Sequence, residues 1–158
     1  MEITDSLSTD LKDAPNWFHS SISNNPRQEI LSHQLGNIKY QAWDRKDAEN
    51  IVILIHGTGA HKRWWDPIAP LINRNCTIFA PDLPGMGESG HRTEYNFEGF
   101  SEALVGILHQ EKVVNSHQKI LLFFHNASPI APVMKLSITQ LTPIRTGTPR
   151  ILTPRFSP

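Results

Sequence analysis

Three stretches of this sequence predict an α/β fold built on a parallel sheet. Ile51-Val-Ile-Leu-Ile55 is an uninterrupted β-favouring run, and such runs are buried on both faces in sheets covered by helices. Cys76-Thr-Ile-Phe-Ala80 repeats the pattern after a segment with helical apolar spacing, which together make a βαβ unit. Lys119-Ile-Leu-Leu-Phe-Phe124 does so again after a second helical stripe, and reads as the next buried strand. The first run breaks at His56-Gly57 into a glycine-bearing loop, Thr58-Gly59. That loop falls at the carboxyl end of the sheet, where open α/β sheets place their ligands.

In chain order, residues 1–14 are polar and acidic and are expected to be a flexible terminus. Pro15-Asn-Trp-Phe-His19 reads as a short helical turn that buries two aromatic rings. After Pro26, residues 29–43 read as an antiparallel hairpin at a sheet edge, turning at Gly36-Asn37. In its second arm Ile38, Tyr40 and Ala42 alternate with Lys39 and Gln41, the period of a half-buried strand. Residues 44–50 form a polar loop. Trp64, Trp65, Ile68, Leu71 and Ile72 have helical spacing, with Pro70 confined to an early turn or a kink. Pro81-Asp82-Leu-Pro84-Gly85-Met-Gly87 is a dense turn signal. Thr93 is then the expected N-cap of a helix to about Lys112, with Phe97, Phe100, Leu104, Ile107 and Leu108 as its apolar stripe.

Beyond about residue 112 the composition changes. No Asp or Glu follows Glu111, and prolines recur from Pro129 onwards with threonines between them. No regular periodicity survives past about Met134, and proline blocks regular pairing. The expectation is a domain over 15–130 and a disordered Pro/Thr/Arg-containing tail over 131–158. The shift also fits a chain diverted into another reading frame.

The chain has 158 residues, long enough for one domain with a real core. Fifteen Lys and Arg balance fifteen Asp and Glu, which gives no electrostatic footprint for nucleic acid or an acidic membrane surface. A lone cysteine, Cys76, lies in a strand pattern and reads as a buried, inert thiol. No signal peptide is visible, and no apolar run nears the roughly 20 residues of a membrane helix, so a cytoplasmic protein is expected. The eight histidines lack the spacing of a zinc site, and Gly57-Thr58-Gly59 lacks both the Walker lysine and the third glycine of a dinucleotide loop. No metal or cofactor is expected, and the sequence leaves the oligomeric state open.

His56-Gly57-Thr58-Gly59, Trp65 and Asp82-Leu-Pro84-Gly85-Met-Gly87-Glu-Ser89 together resemble the α/β-hydrolase family, over roughly residues 29–125. The resemblance implies hydrolysis of an ester or related bond in a small, largely apolar substrate. It makes Thr58 the backbone N–H donor of an oxyanion hole, with Gly57 letting the backbone approach the substrate. It gives the Asp82–Ser89 segment a structural turn, so that Asp82 and Ser89 are not catalytic candidates. His56 reads as a loop anchor, and Trp64 and Trp65 as helix core or pocket wall.

The rest of the family's machinery does not follow. The nucleophile belongs on a strained Gly-x-Ser-x-Gly turn after the strand ending at Phe124. The sequence there is His125-Asn126-Ala127-Ser128-Pro129, which lacks both glycines and puts an amide, Asn126, in the nucleophile slot. Ser128 comes two residues late and precedes a proline that restricts its backbone. No carboxylate follows Glu111 and no histidine follows His125, so the nucleophile is unknown and the triad incomplete. The expected reading is a truncated or frame-diverted hydrolase, inactive as this chain. The alternative is a non-catalytic binding module built on half of the scaffold. A third reading is an enzyme completed by a second polypeptide.

Overall fold

The computed structural model describes residues 11–32, 36–113 and 118–124. They form a five-stranded sheet flanked by helical segments. The strands are β1 (Arg27–Leu31), β2 (Ile38–Trp43), β3 (Asn50–Ile55), β4 (Cys76–Pro81) and β5 (Lys119–Phe124), in the spatial order β1-β2-β4-β3-β5. β1 and β2 pair antiparallel, and β2 joins β4 antiparallel. β3 lies parallel to both β4 and β5. The helices are α1 (Asn16–Ile22), α2 (Ala69–Ile72) and α3 (Phe97–Gln110), with a 3-10 turn over Lys62–Trp65. This is the α/β architecture the sequence predicts, with an antiparallel amino-terminal hairpin followed by parallel strands. The expected tail over 131–158 and most of the expected flexible terminus over 1–14 lie outside the described residues.

Strand alternation sorts the core into two layers. Ile51, Ile53 and Ile55 of β3, with Ile38, Tyr40 and Ala42 of β2 and Phe79 of β4, face α3. They meet Phe100, Ala103, Leu104, Ile107 and Leu108 there. On the other face Trp43, Leu54, Ile78 and Ala80 pack against Trp65 and Ala69. Burying an Ile, Leu or Phe side chain fully stabilises by about 1.5–3 kcal/mol, so the central strands carry most of the cohesion.

Several local expectations are corrected. β2 is not half-buried: Gln41 and Trp43 are enclosed as well, because β2 is interior to the sheet, between β1 and β4. Trp17 of α1 stays exposed, so only Phe18 of the expected aromatic pair is partly covered. The helix expected over residues 63–72 is two short pieces. Pro67 separates them and Pro70 stands in the first turn of α2, since neither can donate a helical N–H. The N-cap of α3 is Asn96 rather than Thr93, and its side chain accepts the Gly99 N–H at 2.9 Å. α3 ends at Gln110 with Glu111 as its cap; Lys112 just beyond adopts φ 57°, and the Val113 N–H donates back to the Leu108 carbonyl at 3.0 Å. β5, expected to be buried, leaves Leu121 and Phe123 at 55% and 57% exposure on the face opposite α3.

One polar cluster ties the hairpin to α3. The Arg27 guanidinium forks onto Asp44 (2.8 and 2.9 Å) and onto Glu111 (3.1 and 2.9 Å). The buried Tyr40 hydroxyl also donates to Glu111. The Asp44 hydrogen bonds, then the Glu111 pair, push the Arg27 pKa far above its ordinary value.

Candidate active site

The loop after β3 is a tight turn. The Ala60 N–H donates to the Gly57 carbonyl at 3.1 Å, and Gly59 takes φ 75°, a conformation costly for any residue with a Cβ. Gly57 is buried and Thr58 exposed at the crest. The Thr58 N–H makes no hydrogen bond among the described residues. The two residues singled out by sequence therefore lie at the carboxyl end of the central strand, with one backbone donor unspent.

Two buried polar anchors hold this turn. The first is His56. The Leu83 N–H, which can only donate, points at His56 Nε2 at 3.0 Å. That leaves the ring proton on Nδ1, which donates to the Gly57 carbonyl at 2.8 Å. Burial pushes the His56 pKa below its ordinary value and outweighs the Gly57 bond and the Asp82 charge. The neutral ring thus bridges the loops after β3 and β4.

The second anchor is Asp82, fully enclosed after β4. Its carboxylate accepts the Lys62 N–H (2.6 Å), the Lys62 ammonium (2.9 Å) and the Glu88 N–H (2.9 Å). Burial pushes the Asp82 carboxyl up, but the Glu88 and Lys62 N–H groups and the Lys62 ammonium outweigh it, so the pKa lies below the ordinary carboxylate range. Lys62, 3% exposed, also pairs with the Glu88 carboxylate. Burial opposes its charge, yet Glu88 and Asp82 raise its pKa above that of a free lysine. Ser89 closes the turn: its hydroxyl donates to the Asp82 carbonyl at 2.7 Å and accepts the Lys39 N–H at 2.9 Å. Gly87, at φ 54°, lies so close over the Asp82 carboxylate that a Cβ would overlap it.

Asp82, Ser89 and His56 therefore serve the structural roles expected of them. Trp65 is core, whereas Trp64 is half-exposed. Lys62 escaped the sequence reading. Its partner Asp82 is 20 residues away, and no local pattern marks a lysine that a later turn will enclose. Cys76 is a buried free thiol whose pKa burial raises, an inert environment. Asn126, Ser128 and His125 lie outside the described residues. Among the described residues no group of three or more His, Cys, Asp or Glu could hold a metal ion, and no helix is long and apolar enough to cross a membrane.

Residues 52–122, from β3 into β5, match the model of the alpha/beta hydrolase family. The chain carries the amino-terminal half of the α/β-hydrolase fold. Among curated proteins, 45 residues are 44% identical to the coelenterazine h 2-monooxygenase of Renilla reniformis, covering 28% of this chain and 14% of that protein. Among solved structures, a thioesterase domain from the curacin biosynthetic pathway shares 28% identity at a TM-score of 0.52, over 65% of this chain and 38% of that one. A loop variant of the haloalkane dehalogenase DbeA from Bradyrhizobium elkanii shares 22% at a TM-score of 0.55, over 64% and 32%. Epoxide hydrolase A from Mycobacterium thermoresistibile shares 19% at 0.55, over 65% and 32%. The chain thus spans well under half the length of each of these relatives. The α/β-hydrolase β3 loop and β4 turn are both contained within the matched residues.

Proposed function

We propose that this chain is an α/β-hydrolase scaffold whose parent chemistry is hydrolysis of an ester or related bond in a small apolar substrate, and that the polypeptide by itself is catalytically silent. The unspent Thr58 N–H supports the first half. It sits on a turn whose shape His56 and Asp82 hold in advance, the requirement for stabilising a developing oxyanion. The solved structures that share the fold are named as a thioesterase domain, a haloalkane dehalogenase and an epoxide hydrolase, and these names support a hydrolytic parent chemistry. The second half rests on the sequence after β5, where Asn126 takes the nucleophile slot and no carboxylate follows Glu111. Without a nucleophile, base and acid, the covalent step whose oxyanion such a donor stabilises has no attacking group.

Exposure of the purified full chain to a fluorophosphonate probe tests this reading. The expected result is no stoichiometric serine adduct. One serine labelled to completion overturns it. The two-layer core favours a second reading, a binding module that folds without catalysing anything. Limited proteolysis addresses it: a resistant core ending near residue 130 supports the module, and digestion throughout refutes it.

A further inference from the structure

Among the described residues, two polar links fasten the loops after β3 and β4 together. At the exit of the β3 loop, Asp82 accepts the Lys62 N–H and ammonium. At its entry, the buried His56 ring donates from Nδ1 to the Gly57 carbonyl and accepts the Leu83 N–H at Nε2. The His56 link has a requirement that the Asp82 link lacks, which is a neutral ring. A backbone N–H can only donate, so Nε2 must keep its lone pair. A second ring proton would set N–H against N–H across 3.0 Å. Turning the ring over gives no escape, because it puts carbons where both nitrogens stood and abandons both bonds.

The charged or titratable groups acting on the ring, among the described residues, are Asp82 at the end of β4 and His61 at the N-cap of the 3-10 turn. Asp82 favours the imidazolium and His61 opposes it. Asp82 cannot accept a new proton donor from the ring without giving up the Lys62 and Glu88 groups that already occupy its carboxylate. Burial is the largest influence, and it holds the ring below its ordinary pKa.

We propose that His56 is an acid-released clasp, whose protonation frees the β4 turn at Leu83 from the β3 loop while the sheet stays folded and the Asp82–Lys62 link stays closed. The second link outlasts the first because acid of this strength leaves its charges in place: the Asp82 carboxyl lies below the ordinary carboxylate range and the Lys62 ammonium above that of a free lysine. Thr58 rides on the turn between the two links, so its N–H is fixed in direction only while the ring is neutral. That consequence rests on the oxyanion reading of Thr58, and the clasp itself does not.

Amide hydrogen exchange of the full chain tests the clasp, read by heteronuclear NMR between neutral pH and about pH 5 and corrected for the intrinsic pH dependence of exchange. The Leu83 amide is expected to be less protected than the amides of β3 and β4, since a local opening costs less than unfolding. Its protection should fall by up to about tenfold per pH unit below about pH 6.5, the ordinary histidine value, and level off at the folded value. His56→Gln offers an acceptor oxygen that does not titrate, and should keep the fold and lose this pH dependence. His61→Gln should retain it. If His56→Gln fails to fold, the ring of the unmodified chain decides: Leu83 protection must level off where the His56 Nε2 resonance titrates. Leu83 protection equal to that of the strand amides at every pH means that the loops part only on global unfolding, and overturns the proposal. So does a pH dependence that is absent from the unmodified chain, survives in His56→Gln or vanishes in His61→Gln. A Leu83 release that leaves the Thr58 resonance unmoved supports the clasp and removes only the consequence for Thr58.

Discussion

Gly87→Ala isolates the feature that holds the candidate loop. At φ 54° an added Cβ brings backbone strain of about 1–2 kcal/mol. The Cβ would also overlap the Asp82 carboxylate, which has no free space because it is fully buried. Displacing that carboxylate breaks its contacts with the Lys62 N–H, the Lys62 ammonium and the Glu88 N–H together. Uncoupling a buried ion pair costs about 3–5 kcal/mol. The expected loss is therefore about 4–7 kcal/mol, a large share of the roughly 5–15 kcal/mol that holds a domain folded. Gly59→Ala is the internal control. Its φ is 75° but a Cβ there meets nothing within 4 Å, so only the strain of about 1–2 kcal/mol applies. Urea unfolding followed by the fluorescence of the buried Trp43 and Trp65 measures both variants. If Gly87→Ala is no more destabilising than Gly59→Ala, the Asp82 carboxylate is not the anchor described here.

Two further outcomes are expected. His56 has a folded pKa below its ordinary value, so the folded state holds it neutral and the unfolded state binds the proton first. Its contribution is present above about pH 6.5, the unfolded value, and is lost as pH falls towards the folded value. Urea midpoints should drop between neutral pH and about pH 5, and a His56→Gln variant that shows the same drop would rule His56 out as its source. Asn96→Ala should cost about 1 kcal/mol through loss of the Gly99 N–H cap. Thr93→Ala, at an exposed residue before the helix, should stay within about 0.5 kcal/mol. Equal effects of the two would return the cap to Thr93.

The sheet was legible because its signals are local. Ile51–Ile55 and Cys76–Ala80 are apolar at every or nearly every position, and that pattern has few uses other than a strand covered on both faces. The glycines of the β3 loop and β4 turn were legible for the same reason: positive φ at Gly59, Gly85 and Gly87 is a demand met within a few residues. The errors arose where a partner distant in sequence decides. Asn96 and Thr93 are both acceptable caps by composition, and only the course of the chain into α3 chooses between them. Pro67 and Pro70 were visible, but whether they kink one helix or divide it depends on Trp65 and Ala69 finding the sheet. Gln41 looked solvent-facing until β4 closed over the second side of β2.

The sequence by itself determined the order of strands and helices, the two turns that frame the site, and the absence of a recognisable nucleophile pattern after β5. All of these follow from side-chain type and spacing, which act within a few residues. Only the tertiary structure decided that Lys62 is buried against Asp82 and Glu88, and that His56 is held neutral between Leu83 and Gly57. Burial and charge pairing depend on what the fold brings together across tens of residues. No stretch of the chain records that alone.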